Sequence, residues 1–260
     1  MDLTSLVVEG LSFGYGSTQV LRDISFTLEV PELVCIIGPN GVGKTTMVKC
    51  LNRILKPDCG SVTLDGEDVL GMRLMDLARK MAFVPNRIDP TFNSSVAETV
   101  LMGRFPFAQW ANSDHDLEVV DKALGTLGLQ QLSHRDVSEL SSGQLQKVLI
   151  ARGLAQEPRI LILDEPTSNL DVRHQMEVMR FLRGYARDSG TIVLMVCHDL
   201  NLTAAFADRV IMMSGGGIYA DGSPWDVMSE GSIREVYGVD SHVIDVEGRP
   251  HVILLAGDSQ

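Results

Sequence analysis

The chain has 260 residues, 45% of them hydrophobic and 22% charged, an ordinary globular mix that excludes disorder and collagen-like repeats. Lys and Arg number 22 against 34 Asp and Glu, a formal net charge of −12. General nucleic-acid binding and direct adsorption to anionic lipid are therefore disfavoured, and any anionic ligand has to be held by a local cradle.

The length suits one large domain or two small ones. The first thirty residues read as antiparallel β, with Ile24, Phe26, Leu28 and Val30 alternating with polar residues. Leu33 to Ile37 is a continuous apolar run, as in a strand buried on both faces. A glycine-rich loop follows, then a helix expected from about Lys44 to Leu55. Val62 and Leu64 form a short strand before an Asp65-Gly66 turn. Met81 to Val84 is another strand, stopped by Pro85. From about Ser94 to Glu157 helical signals dominate: Ser95 and Glu98 have capping-box spacing, and Leu117, Val120, Leu124 and Leu127 fall on one helical face. Strand and helix then alternate again, with strands at Ile160–Leu163, Thr191–Cys197 and Val210–Met213 and a helix over Val172–Arg187. Helical turns are expected near Pro224–Tyr237. The segments His242–Val246 and His251–Leu255 flank Glu247-Gly248-Arg249-Pro250 as a hairpin. The pattern is an α/β core interrupted by a helical insert.

No apolar run is long enough to span a membrane, and MDLTSLVVEG carries no secretion signal. Cys35, Cys50, Cys59 and Cys197 form no C-x-x-C pair and read as reduced cysteines of a cytosolic protein, with Cys35 and Cys197 in apolar strand-like runs. His115, His134, His174, His198, His242 and His251 contain no i, i+4 pair; His242 and His251 could face each other in the hairpin, where a solvated pair is the simpler reading than a metal site. The twelve methionines are scattered core filling.

Three motifs carry chemistry. Gly38-Pro39-Asn40-Gly41-Val42-Gly43-Lys44-Thr45 matches G-x-x-x-x-G-K-[ST]. Its glycines let backbone N–H groups converge on a phosphate chain, and the following helix adds its positive end. Lys44 can reach the β- and γ-phosphates, and the Thr45 hydroxyl can ligate Mg²⁺. The second motif, Ile160-Leu161-Ile162-Leu163-Asp164-Glu165, ends an apolar strand in two carboxylates. Asp164 suits the Mg²⁺ shell, and Glu165 can polarise a water for in-line attack. The third, Leu140-Ser141-Ser142-Gly143-Gln144, has capping-box spacing from Ser141 to Gln144 and opens a helix whose N-terminus is a second anion site.

Taken together, in this order and spacing, the motifs resemble the ATP-binding cassette family across nearly the whole chain. The resemblance implies an α/β fold: a RecA-like P-loop NTPase core with an N-terminal antiparallel β subdomain and an inserted α-helical subdomain. It implies a single ABC ATPase domain over 1–260, with the nucleotide-binding core at 1–85 and 158–225, the helical insert with the signature at 86–157, and a tail with the hairpin at 226–260. The family signature reads LSGGQ; here Ser142 replaces its first glycine, and a mild effect is expected because Gly143 is retained. Tyr15 sits where the family stacks an aromatic on adenine, Ser168-Asn169-Leu170-Asp171 looks like the D-loop, and His198 looks like the switch histidine.

One departure concerns Val84-Pro85-Asn86, where the family has Val-Pro-Gln. Asn keeps the amide but loses about 1.5 Å of reach, which a water could bridge. Asn86 is therefore expected to sense nucleotide while ligating the metal less directly.

The resemblance also implies a head-to-tail homodimer enclosing two ATP, because one copy supplies only half of each site. Lys44 and the backbone from Asn40 through Gly41, Gly43 and Thr45 to Thr46 hold phosphates. Thr45, Asp164 and Asn86 face Mg²⁺. Glu165 activates water and His198 stabilises the γ-phosphate. Ser141, Gly143 and Gln144 close over ATP from the second copy, with Ser141 exchanging its own helix cap for phosphate, and Asp171 communicates across the dimer. Leu101-Met102-Gly103-Arg104-Phe105-Pro106 is similar to the G-R-x-P segment of importer ATPases for iron–siderophore, haem and cobalamin, as is Ile233-Arg234-Glu235-Val236-Tyr237-Gly238-Val239. The alternative for these residues is that Arg104 and Phe105 simply pack the insert. An importer subunit would sit peripherally on the cytoplasmic face of the membrane through two permease subunits, act indirectly with a substrate-binding protein, and bind no nucleic acid. Importers of another metal or an oxyanion, a soluble cassette ATPase of translation or repair, and a small-molecule kinase are the alternatives; the last leaves the signature and His198 unexplained.

Overall fold

The computed structural model describes residues 4–86, 94–107 and 113–255. Part of the expected insert (87–93 and 108–112), the opening residues 1–3 and the last five residues lie outside that description. The chain divides into two compact units, one made of Met1–Gly71 with Met179–Gln260, the other of Met72–Val178.

The first unit begins with β1 (Leu6–Tyr15) and β2 (Thr18–Leu28), antiparallel about a Gly16-Ser17 turn. Burial alternates along both strands, as a period of two requires, except where the register shifts between Val8 and Leu11 and between Leu21 and Ile24. The expected continuation to Val30 fails: β2 stops at Leu28, and Val30 is 59% exposed just before Pro31. β3 (Leu33–Ile37) is buried at every residue. The helix α1 (Lys44–Leu51) is four residues shorter than expected. Arg53 takes a left-handed φ of 55°, and the N–H groups of Ile54 and Leu55 turn back to the Lys49 carbonyl, a helix stop usually signalled by glycine. β4 (Cys59–Leu64) and β5 (Glu67–Asp68) close a sheet in the order β2-β1-β4-β5, joined through the expected Asp65-Gly66 turn. Both turn residues have positive φ, the geometry that twisted hairpins favour.

The second unit contains α2 (Leu74–Lys80), β6 (Met81–Val84), α3 (Val96–Leu101), α4 (Asp114–Thr126), α5 (Ser142–Ala155), β7 (Ile160–Asp164) and the start of α6 (Val172–Ser189). β6 and β7 are parallel, with Val84 opposite Leu163. The Ser95–Glu98 capping box forms as expected. On α4 the expected face holds in part: Val120 and Leu124 are buried, but Leu117 is 55% exposed, and Asp116, Val119 and Ala123 are buried beside them.

Back in the first unit, β8 (Ile192–Val196) leads through α7 (Leu200–Phe206) to β9 (Arg209–Ser214) and β10 (Gly217–Gly222). β3 lies between β8 and β9, parallel to both, and β10 runs antiparallel to β9. These central strands are apolar runs buried on both faces. The tail has two short helices, α8 (Pro224–Val227) and α9 (Glu230–Tyr237), then the hairpin of β11 (Ser241–Val246) and β12 (Arg249–Leu254). Its turn is only Glu247-Gly248, so Arg249 and Pro250 belong to the strand. His242 stands opposite Ile253 and His251 opposite Ile244, so the two histidines do not face each other; both are exposed. All four cysteines are free; Cys35, Cys50 and Cys197 are buried and Cys59 is exposed.

Candidate functional site

In the first unit the glycine-rich loop joins buried β3 to α1. Gly43 stands at the helix N-cap with φ 107°, and a Cβ there would lie 2.8 Å from Leu21 Cδ2 and 3.2 Å from the Val20 carbonyl. Both conformation and space therefore demand glycine, and β2 backs the loop closely. The N-cap residue Gly43 brings no side chain to cap α1, and no acid stands in the helix's first turn, so the positive end of the helix is left without a built-in carboxylate. Lys44 is only 5% exposed, and its Nζ donates to the carbonyls of Gly38 (2.7 Å) and Pro39 (2.9 Å). A buried ammonium beside an uncapped helix N-terminus suits a polyphosphate. Thr45 and Thr46 begin the helix, while Asn40 and Gly41 are exposed at the loop tip. Tyr15 is 53% exposed, with its ring perpendicular to that of Phe13 at 4.9 Å between centroids. His198 is exposed just past β8 and before the N-cap Asp199, whose side chain accepts from the Leu202 N–H at 2.8 Å. The Gly38 backbone also hydrogen-bonds the Tyr237 hydroxyl of α9, and burial pushes that hydroxyl above the usual phenol range.

In the second unit Asp164 is the buried last residue of β7 and Glu165 follows it with φ 52°. Left-handed backbone is uncommon outside glycine and clusters at functional positions. The β6–β7 register carries Asn86, two residues beyond Val84, alongside Glu165, two residues beyond Leu163. Asn86 Nδ2 donates to Glu165 Oε2 at 3.0 Å. Ser168 Oγ lies 3.0 Å from Asn86 Oδ1 and 3.1 Å from the Glu165 carbonyl. The sequence marked Ser168 only as the first residue of the D-loop-like segment and gave its hydroxyl no partner.

The signature opens α5 as expected. Exposed Ser141 accepts from the Gln144 N–H at 3.3 Å, and its own N–H donates to Gln144 Oε1 at 3.1 Å, a complete capping box. Gly143 is buried in the first turn, and a Cβ added there would come no nearer to His174 than 3.4 Å, an ordinary contact. His174 therefore packs beside the signature turn, a neighbour for which the sequence offered no motif. Its backbone N–H and Nδ1 both meet Asp171 at 2.9 Å. These bonds, the backbone one first, hold the Asp171 carboxyl below its ordinary range. Lys147 of α5 donates to Glu177 of α6 at 2.9 Å and depresses that carboxyl in turn.

The Gly103–Pro106 segment separates its residues by environment. Arg104 is buried: Nε donates to Asp116 at 2.8 Å, Nη1 to the Ala155 carbonyl and to Glu157, each at 2.8 Å, and the guanidinium sits 4.1 Å over the Phe107 ring. Arg104 is thus a packing strut. Its neighbours Met102 and Phe105 are exposed, and so are Leu74 and Met75 on α2. The two elements are tied by Arg79 Nε donating to the Pro106 carbonyl at 2.9 Å. Among the described residues no helix is long and apolar enough to cross a membrane.

Comparison with known proteins identifies the family. An ABC transporter ATP-binding protein of Methanocaldococcus jannaschii is 42% identical over 253 residues, covering 97% of this chain and 99% of that one. The hemin import ATP-binding protein of Bordetella avium is 37% identical over 247 residues, covering 92% and 94%. A metal-chelate type ABC transporter solved in an inward-facing conformation superposes with a TM-score of 0.85 at 27% identity, covering 98% of each chain. Residues 21–168 match the ABC transporter family, and the chain belongs to it as a nucleotide-binding, ATP-hydrolysing subunit with a P-loop NTPase fold.

Proposed function

We propose that the chain is the ATPase subunit of an importer for an iron complex, haem or cobalamin. In this reading it works as a head-to-tail homodimer around two ATP, bound on the cytoplasmic face of the membrane to two permease subunits that a substrate-binding protein supplies. The observation that carries the ATPase half is the uncapped start of α1 with the buried Lys44. The import half is supported by the hemin import relative and the metal-chelate transporter.

Roles follow from the chemistry. Lys44 and the N–H groups from Asn40 to Thr46 hold the phosphates, and Tyr15 offers its face to the adenine. Thr45 and Asp164 provide a hydroxyl and a carboxylate to Mg²⁺, a donor set typical of sites completed by substrate phosphate and water. When bound, the ion neutralises charge on the phosphate oxygens. Glu165 accepts a proton from the attacking water, and His198 donates to the γ-phosphate. Ser141, Gly143 and Gln144 present the α5 N-terminus to the ATP of the second copy, with Asp171 and His174 next to it. Residues 1–85 and 158–225 serve as the nucleotide core, 86–157 as the helical insert and 226–260 as the tail. The exposed Leu74, Met75, Met102 and Phe105 supply apolar surface for the permease.

The test is reconstitution of the chain with its permease pair and binding protein in liposomes. Haem, a ferric siderophore or cobalamin should stimulate ATP hydrolysis severalfold and accumulate inside. Stimulation by a free metal ion or an oxyanion instead would replace the cargo assignment. Vigorous hydrolysis that ignores the permease altogether would overturn the transport reading.

A further inference from the structure

Asn86 has a second job available to it in this chain. Its side chain is short, stands beside Glu165 by the parallel register of β6 and β7, and has both polar ends engaged. The way round is fixed by chemistry. An ionised carboxylate accepts hydrogen bonds and cannot donate them, so the NH₂ end faces Glu165 Oε2 and the carbonyl end is left for the Ser168 hydroxyl. A glutamine at this position would carry its amide about 1.5 Å farther and could not sit in the same bridge unmoved.

We propose that Asn86 is a positioning residue that aims the Glu165 carboxylate, and that Ser168 orients Asn86 for that task. The inference rests on Glu165 being the group that activates water. Ser168 and Asp171 lie in one short segment, Ser168-Asn169-Leu170-Asp171, so displacement of that segment would withdraw the hydroxyl, free the amide and release the carboxylate. Asn86 thus links the state of the 168–171 segment to the aim of Glu165, with no direct bond to the metal.

Two kinds of measurement test this. In the nucleotide-free protein, the Asn86 side-chain amide pair, assigned by its disappearance in Asn86→Ala, should exchange slowly with solvent by NMR. Glu165→Ala and Ser168→Ala should each remove that protection. In steady-state hydrolysis, Asn86→Ala should lower kcat by about 10²-fold, the usual scale for a misplaced reacting group, with KM for ATP and the Mg²⁺ concentration dependence unchanged. Ser168→Ala, at an exposed position where folding is not at risk, should lower kcat by about tenfold, and should cost nothing more on top of Asn86→Ala. A raised Mg²⁺ requirement in Asn86→Ala would make Asn86 a metal ligand and overturn the proposal. So would amide protection that survives Glu165→Ala, or fully additive losses. Glu165→Gln separates the two levels: if it still turns over, the role of Glu165 fails; if it is dead while Asn86→Ala hydrolyses normally, only the role of Asn86 fails.

Discussion

Arg104→Ala should unfold the chain far more easily while leaving every nucleotide group in place. The Arg104 and Asp116 side chains are 4% and 7% exposed and meet at 2.8 Å. Removing the guanidinium leaves a carboxylate buried without its cation, which costs about 3–5 kcal/mol. For a protein of this size each kcal/mol moves Tm by about 2–4 °C, so a fall of roughly 10 °C is expected. The pair also has a pH signature. Hydrogen bonding from Arg104, then from Ser113, holds the Asp116 carboxyl at about 2, below its ordinary 3.8. A depressed carboxyl stabilises the fold fully above its ordinary value and loses that contribution as pH falls through the folded one. The gap between wild type and Arg104→Ala, followed by circular dichroism, should therefore be wide near neutrality and shrink as the pH drops from 3.8 to about 2. The double variant Arg104→Met with Asp116→Leu should regain most of the loss. It should remain short by about 1 kcal/mol for the α4 cap that Asp116 shares with Ser113. An Arg104→Ala protein melting within about 2 °C of wild type, or a gap that does not change with pH, would refute the reasoning.

Gly143→Ala should melt at or slightly above the wild-type temperature, since its Cβ meets only an ordinary contact and alanine favours helix by about 1 kcal/mol. Its hydrolysis should nevertheless be lost; retained activity would show that no phosphate approaches this turn. Glu165→Gln should reduce turnover by about 10²–10⁴-fold while ATP still binds and holds a dimer by light scattering. In thiol labelling at about pH 8, exposed Cys59 should react quickly in the folded protein. Cys35 and Cys197, whose thiols burial pushes up, and Cys50, pushed up to about 11, should react only on unfolding. Rapid labelling of all four would contradict the packing of β3 and α1.

What local sequence determines was legible. β3 and β6 fall at Leu33–Ile37 and Met81–Val84 as the apolar runs predict, and the boxes at Ser95 and Ser141 form because each needs only residues three apart. Long-range pairing was not legible. Periodicity placed Val120 and Leu124 inward correctly but Leu117 wrongly, because it could not foresee that Asp116 is buried against Arg104, twelve residues away. The end of α1 was hidden because Arg53 takes the left-handed place of a glycine. In the candidate site, the identities of Lys44, Asp164 and Glu165 could be read from motifs. The bridge from Asn86 to Glu165 and Ser168 depends on strand register across 79 and 82 residues of chain, which no spacing rule reveals.

Glu165 sits where most side chains do not. A glycine there would ease the backbone by about 1–2 kcal/mol, while the carboxylate's bond from Asn86 would be lost. The backbone at the tip of β7 therefore gives no reason of its own to place an acid there. Screening libraries for heat resistance alone would tend to erase it, and a hardier variant selected that way should be checked first for having become an inert scaffold.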